Sequence, residues 1–312
     1  MHAVMLDVDL LAANPDLSPI ESAVDTLTCY ASTAPEDVIP RLADAEAVIT
    51  NKTRITRDII AALPRLALIC TVGTGTDHID TAAAKEHGVD VRNVKGFGTA
   101  SIAQHTMMLM LSLAGGLLPY RQSTAAGEWS AEISFTQRIR LMTLLAGRHL
   151  VIVGQGEIGS EVARLAEAFG MRVSFAARSG SVDDRRPTLK RLLPTADVLS
   201  LHCPLTPQTE HLIDAEALAA LPRGALLINC ARGNVIDNLA ALEALTSGHL
   251  GGLGLDTLDQ EPPPADHPMI AALREDRYNL AITPHTAWAS CEARQTLIHT
   301  IAHNIATFRA SH

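Results

Sequence analysis

Three polar side chains stand directly after apolar runs in the C-terminal half of the chain: Arg232 after Leu226–Ala231, Glu261 after Gly254–Gln260, and His285 after Ala281–Pro284. A guanidinium, a carboxylate and an imidazole are the groups of anion binding and acid–base chemistry. Each stands where a parallel sheet would present its ligand edge, the carboxyl ends of its strands. Taken singly, each also has a plainer reading: a solvated Arg, an N-cap Glu before Pro262, and a structural His.

The element that must position them is the stretch Leu150–Gly170. A short apolar run, Leu150-Val151-Ile152-Val153, meets Gly154-Gln155-Gly156-Glu157-Ile158-Gly159 and then a helical pattern with apolar Val162, Leu165, Ala166 and Phe169. The spacing predicts strand, tight turn and helix. Gly154 allows the sharp turn, Gly156 the approach of a pyrophosphate, and Gly159 close packing of helix on strand, with Glu157 and Ile158 opening the helix over the phosphates. A second strand, Arg172–Ala176, closes a βαβ unit.

The end of that second strand bears on which dinucleotide binds. An NAD site usually carries an acidic residue about 20 positions after the first glycine. Here the strand ends Ala176-Ala177-Arg178-Ser179-Gly180, with no carboxylate to hold a 2′-hydroxyl and with donors suited to a 2′-phosphate. NADP(H) is therefore favoured, and NAD(H) remains open if Arg178 is a solvated loop charge.

The whole chain has 312 residues, enough for two domains. It is 47% hydrophobic and 3% aromatic, so Leu, Ile, Val and Ala must build the core. A net charge of −9 argues against a nucleic-acid partner. Five scattered cysteines without a CxxC pair read as thiols of a reducing cytoplasm. No signal peptide is visible, and the longest apolar segment, Met107–Leu118, is too short to span a bilayer, so no membrane partner is expected. His299 and His303 share helical spacing, but nothing completes a zinc site and no metal is expected.

Short apolar runs alternate with helical patterns from the N-terminus: strands at Ala3–Leu6, Thr26–Cys29, Ala47–Thr50, Ala67–Cys70 and Val89–Val91, with helices at Ala34–Leu42, Arg57–Ala62 and Asp80–Glu86. The turn Cys70–Thr76 leaves a strand end and can form an anion nest for a carboxylate, or simply a sharp bend. Ser101 opens a long apolar helix, of the kind buried within one chain or between subunits. An arm follows from Tyr120 to Arg148. Further strands are expected at Asp197–Leu201, Ala225–Asn229 and Gly252–Asp256, a helix at Leu239–Thr246, and a helical tail from Cys291 to about Arg309. The pattern is α/β with two doubly wound parallel-sheet domains: a flavodoxin-like substrate domain, 1–99 with the returning tail 286–312, and a Rossmann dinucleotide-binding domain, 100–285.

In this order the motifs resemble the D-isomer-specific 2-hydroxyacid dehydrogenase family over nearly the whole chain. They are Val72-Gly73-Thr74-Gly75-Thr76-Asp77-His78-Ile79-Asp80, Ser101–Thr106, the Gly154 turn, Leu201–Pro207, Asn229–Gly233, Gly254–Pro262 and Pro284–Ser290. Within the family, Thr50–Thr53 and the sequence around His285 look most like bacterial glycerate dehydrogenases, also called hydroxypyruvate or glyoxylate reductases. The resemblance implies that Arg232 holds the 2-oxo acid, that His285 is the general acid in reduction and base in oxidation, and that Glu261 orients His285 and favours its protonated form. It further implies that Val72 and Gly73 bind the substrate carboxylate through backbone N–H groups, that Asp256 holds the nicotinamide carboxamide, and that Pro204 and Cys230 line the cofactor cleft. The Ser101 helix and the arm look like a homodimer interface, from which Trp129 would reach the partner's site. Gln104 departs from the family's usual Glu.

The expected protein is a cytoplasmic, dimeric, NADP(H)-preferring reductase of glyoxylate or hydroxypyruvate. Two alternatives stand beside it: an NAD-dependent relative acting on another 2-oxo acid, and a non-catalytic dinucleotide-sensing regulator on the same fold. A pure sensor needs only the nucleotide cleft, so Arg232, Glu261 and His285 together speak for turnover.

Overall fold

The computed structural model describes residues 1–11, 15–131, 135–136, 142–178, 180–181 and 183–311. The chain divides into two compact units, Met1–Gly98 with Ala289–His312, and Thr99–Trp288. The boundaries lie one and three residues from those expected.

In the first unit, strands β1 (His2–Met5), β2 (Thr26–Cys29), β3 (Ala47–Thr50), β4 (Leu68–Thr71) and β5 (Asp90–Arg92) form one parallel sheet in the order β2-β1-β3-β4-β5. Successive side chains of a strand point to opposite faces, and here both faces are covered. Ala3, Met5, Ala47, Ile49, Leu68 and Cys70 meet Leu297, Ile301, Ile305 and Phe308 of the terminal helix Cys291–Ser311. Val4, Leu6, Val48 and Ile69 meet Val38, Leu42, Ile60, Ala83 and Ala84 of the helices on the other side. Two-sided burial is why the central strands β1, β3 and β4 read as largely apolar runs. The tail is tied down by Arg92 donating to the Asn304 carbonyl at 2.6 Å and by Arg309 donating to the Ala23 carbonyl at 2.9 Å.

In the second unit, β6 (His149–Val153), β7 (Arg172–Phe175), β8 (Val198–Leu201), β9 (Ala225–Asn229), β10 (Leu250–Leu255) and β11 (Leu280–Ile282) form a six-stranded parallel sheet, ordered β11-β10-β9-β8-β6-β7. One face packs on the helices Thr99–Gly115 and Glu157–Ala168 through Leu150, Ile152, Leu226 and Ile228. The other face, through Val151, Leu199, Leu227 and Leu253, packs on helices that include Asn238–Thr246 and Pro268–Glu275. β11 was not foreseen: three apolar residues before Thr283-Pro284 are too few to show a period. The strand order reverses between β6 and β8, so the crevice at their carboxyl ends is where this sheet type takes its ligand.

Candidate active site

The glycine turn lies at that reversal. Gly154 has φ of +103°, a conformation L side chains rarely adopt, and a Cβ there would meet the His202 carbonyl at 2.4 Å. The turn therefore seats directly against the chain leaving β8. A Cβ on Gly159 would meet the Gly154 carbonyl at 2.0 Å, so the helix Glu157–Ala168 lies closer to β6 than any larger residue permits. Around Gly156, by contrast, a Cβ would meet nothing within 4 Å. Gly156 caps the helix with no side-chain hydrogen bond, leaving first-turn N–H groups without a side-chain acceptor. An open backbone approach in front of those amides fits a dinucleotide pyrophosphate. The Glu157 side chain is turned to Thr99, whose hydroxyl donates to it at 3.2 Å. Ile158 packs among the apolar residues under the helix.

Of the expected ribose-side residues, Arg178 is exposed at the end of β7, and Ser179 lies outside the described residues. One expectation is corrected here. A carboxylate does stand at this strand end: Asp184, six residues on, accepts the Arg178 backbone N–H at 2.8 Å. The loop is folded back on itself, with Ala177 N–H donating to the Pro187 carbonyl at 2.8 Å. No reading confined to the strand's own residues could place Asp184 there.

Arg232, Glu261 and His285 belong to the connections leaving β9, β10 and β11, three neighbouring strands about 5 Å apart in sequence of pairing. Gly233 joins two of these connections, since a Cβ on it would fall 1.9 Å from the Leu258 backbone. The loop carrying Arg232 thus lies directly on the loop carrying Glu261. Asn229, fully buried, braces the first of them: its side chain accepts from Ala231 N–H at 2.9 Å and donates to the Arg232 carbonyl at 2.9 Å. Arg232 itself is half-buried and donates from Nη1 to the Ala231 carbonyl at 2.9 Å.

His285 Nδ1 stands 2.6 Å from Glu261 Oε2, with both side chains about one quarter exposed. Glu261 Oε1 accepts from the Leu258 N–H at 3.2 Å, so one carboxylate ties the imidazole to its own loop. His285 has φ of +54°, an uncommon left-handed conformation for a non-glycine residue. The turn is enforced by hydrogen bonds from His285 N–H to the carbonyls of Asp256 at 2.8 Å and Thr283 at 3.0 Å.

Asp256, expected at a nicotinamide carboxamide, is 2% exposed and engages this same turn. Its Oδ1 accepts from the Thr283 hydroxyl at 2.6 Å and Thr286 N–H at 2.9 Å, and its Oδ2 from Ala287 N–H at 2.9 Å. His105 Nε2 reaches the Thr283 hydroxyl at 2.8 Å. Burial holds the His105 ring below the usual His range, against the pull of Asp256 beside it. Neither His105 nor Thr283 was foreseen as part of the site, because nothing local in the sequence links them to Asp256.

Pro204 is exposed after β8, its carbonyl taking the Thr209 hydroxyl at 2.6 Å. Cys230 is buried, and burial pushes its thiol up to about 12, which makes it a neutral lining group. Val72 and Gly73 lie in the other unit, at the carboxyl end of β4. The expectation that Val72 offers its N–H to a substrate is corrected: that group donates to the Thr50 carbonyl at 2.8 Å, extending the β3–β4 ladder. Gly73 N–H has no acceptor among the described residues.

Comparison with known proteins places this arrangement. The family model described as D-isomer specific 2-hydroxyacid dehydrogenase, NAD binding domain, matches residues 107–287. The chain is 39% identical over 285 residues to the glycerate dehydrogenase of Methylorubrum extorquens, covering 90% of this chain and 88% of that one. Its structure is similar to the D-lactate dehydrogenase of Aquifex aeolicus complexed with NAD and lactic acid, with a TM-score of 0.85, 26% identity and coverage of 100% and 96%. It is also similar to an acyclic imino acid reductase in complex with NADPH and D-Arg, with a TM-score of 0.85, 25% identity and coverage of 100% and 98%. A doubly wound sheet with a glycine turn at its reversal and an acid–base pair at the same edge defines a dinucleotide-linked oxidoreductase. The chain belongs to the D-isomer-specific 2-hydroxyacid dehydrogenase family.

Proposed function

We propose that the protein reduces a small 2-oxo acid, glyoxylate or hydroxypyruvate, to the D-2-hydroxy acid with NADPH as the favoured reductant, and that it works as a homodimer in the cytoplasm. The observation that carries the chemistry is the 2.6 Å pair between His285 and Glu261, on a loop that lies against the Arg232 loop at the ligand edge of the sheet. The reduced nicotinamide, when bound, supplies hydride to the carbonyl carbon. Arg232 holds the substrate carboxylate and draws charge onto the carbonyl oxygen. His285, with Nδ1 held by Glu261, delivers a proton from Nε2 to that oxygen and recovers it in the reverse direction. Asp256 Oδ2, which takes one donor from the described residues, has capacity for the carboxamide.

The substrate class draws support from the glycerate dehydrogenase relative, since hydroxypyruvate is the 2-oxo acid corresponding to glycerate. The dimer draws support from exposed apolar side chains on the helices between Thr99 and Ala131: Met108, Leu111, Leu117 and Trp129, the last two 58% and 50% exposed. Five unpaired cysteines accord with a reducing compartment. A second reading, NAD as coenzyme, draws on the Asp184 carboxylate beside Arg178.

The test is a panel of 2-oxo acids with both reduced coenzymes. Glyoxylate or hydroxypyruvate with NADPH should give the highest kcat/KM, and a higher value with NADH overturns the coenzyme assignment. His285→Ala should lower kcat/KM roughly 10²- to 10⁴-fold. Undiminished reduction of every acid would remove the proton-transfer role.

A further inference from the structure

The loop after β7 carries Arg185 and Arg186 as well as Arg178, and one of them, Arg186, is tied to the glycine turn in a way the sequence pattern does not reveal. Arg186 is anchored twice, to Asp184 and to the glycine turn. Its backbone N–H and Nε donate to Asp184 Oδ1 at 3.1 and 2.8 Å, and its Nη2 donates to Asp184 Oδ2. Its Nη1 donates to Gln155 Oε1 at 2.9 Å. Gln155 is the residue between the first two glycines of the turn, so the guanidinium of Arg186 spans from the ribose side of the sheet to the phosphate side. Arg178, exposed next to it, has no hydrogen bond or ion pair from its guanidinium to any described residue.

The acidic residue here is not placed as a ribose acceptor is. Both oxygens of Asp184 already accept two donors each: Arg186 N–H and Nε on one, Arg178 N–H and Arg186 Nη2 on the other. Arg186 and these backbone donors hold its carboxyl well below the usual carboxylate range. A carboxylate so engaged has few lone pairs left for a vicinal diol, and its charge is matched by a fork-shaped cation. With Asp184 matched by Arg186, the cation of the cluster left without a protein counter-charge among the described residues is the exposed Arg178.

Resting on the NADP(H) reading above, we propose that Arg186 is a specificity-determining residue for a 2′-phosphomonoester, paired with Arg178, and that Asp184 is its positioning residue. Asp184 locks Arg186 against Gln155 and fixes the Arg178 backbone. The acidic residue, which in an NAD site would disfavour a 2′-phosphate, here organises the two cations that receive it.

The experiment is calorimetric titration of the full-length protein with 2′,5′-ADP and with 5′-AMP, which differ by the 2′-phosphate. The wild type should bind 2′,5′-ADP at least tenfold more tightly; equal binding would overturn the NADP(H) reading itself, and this proposal with it. Given that preference, Arg186→Gln should weaken 2′,5′-ADP by 10- to 100-fold and leave 5′-AMP within threefold. Asp184→Asn should act in the same direction, by lesser measure. The proposal alone is overturned if Asp184→Asn instead tightens 2′,5′-ADP and weakens 5′-AMP, as loss of a ribose-holding carboxylate would. It is equally overturned if Arg186→Gln keeps the wild-type preference while Arg178→Gln abolishes it. Should Asp184→Asn fail to fold, Arg186→Lys decides the positioning role. Lysine keeps the charge but not the fork, so it should recover less than half of the lost preference if the geometry set by Asp184 matters, and all of it if charge alone does.

Discussion

At the scale of residues, the site is a case of side chains held by partners rather than by their own preferences. His285 is kept in a left-handed turn, and its imidazole is aligned by one carboxylate oxygen of Glu261 while the other oxygen is fixed by Leu258 N–H. An amide at position 261 keeps the size and one acceptor but removes the negative charge that offsets an imidazolium. Glu261→Gln should therefore lower kcat by up to about 10⁴-fold, the loss seen when a triad His loses its carboxylate, with little change in KM. A steady-state analysis in which KM rises and kcat holds would assign Glu261 to substrate binding instead.

At the scale of elements, a single buried carboxylate joins β10 to the turn after β11. Asp256 accepts from the Thr283 hydroxyl and from the amides of Thr286 and Ala287, and its carbonyl takes His285 N–H. Asp256→Asn places a donor where only acceptors serve, against amides that must donate, and each lost charge-assisted hydrogen bond costs roughly 1.5–3 kcal/mol. The expected outcome is a destabilisation of about 2–4 kcal/mol on that basis, together with loss of activity. Urea unfolding followed beside coenzyme binding checks it: an unchanged midpoint with lost activity would show that Asp256 acts on the ligand alone. The glycine turn shows the same economy of elements, since Gly154 and Gly159 bring β6, the chain after β8 and the helix Glu157–Ala168 into backbone contact.

At the scale of the whole molecule, stability should fall on the acid side through His202. Its Nε2 meets the Ser200 hydroxyl at 2.8 Å, its buried Nδ1 has no partner among the described residues, and burial drives the ring down to about 4. The folded-state value lies below the unfolded one, so the unfolded chain takes up a proton first as pH drops below about 6.5. Stability is therefore full above that pH and is lost progressively down to pH 4. Between pH 7 and pH 5 the loss should be about 2 kcal/mol from this group. His202→Gln should remove that part of the pH dependence, read as the difference in urea midpoints at the two pH values. An identical dependence in variant and wild type would show that the ring is solvated.

Much of this protein was legible along the chain. β2, β3 and β9 fall at their expected residues, and the βαβ unit with its glycines is where the spacing put it, because tight turns and, in β3 and β9, two-sided burial leave local marks in residue type. The placement of Arg232, Glu261 and His285 at strand ends was legible for the same reason. What escaped was pairing between segments. β11 is too short to announce itself, Val72 gives its amide to a neighbouring strand, and His105, Thr283 and Asp256 meet across 178 residues of sequence or fewer. Asp184 and Arg186 come to the glycine turn only because their loop doubles back at Ala177 and Pro187. Periodicity and turn chemistry are properties of neighbours in the chain, so residue types alone determined the elements and the edge at which chemistry gathers. Which carboxylate faces which cation depends on loops closing in space, and only the tertiary structure decided that.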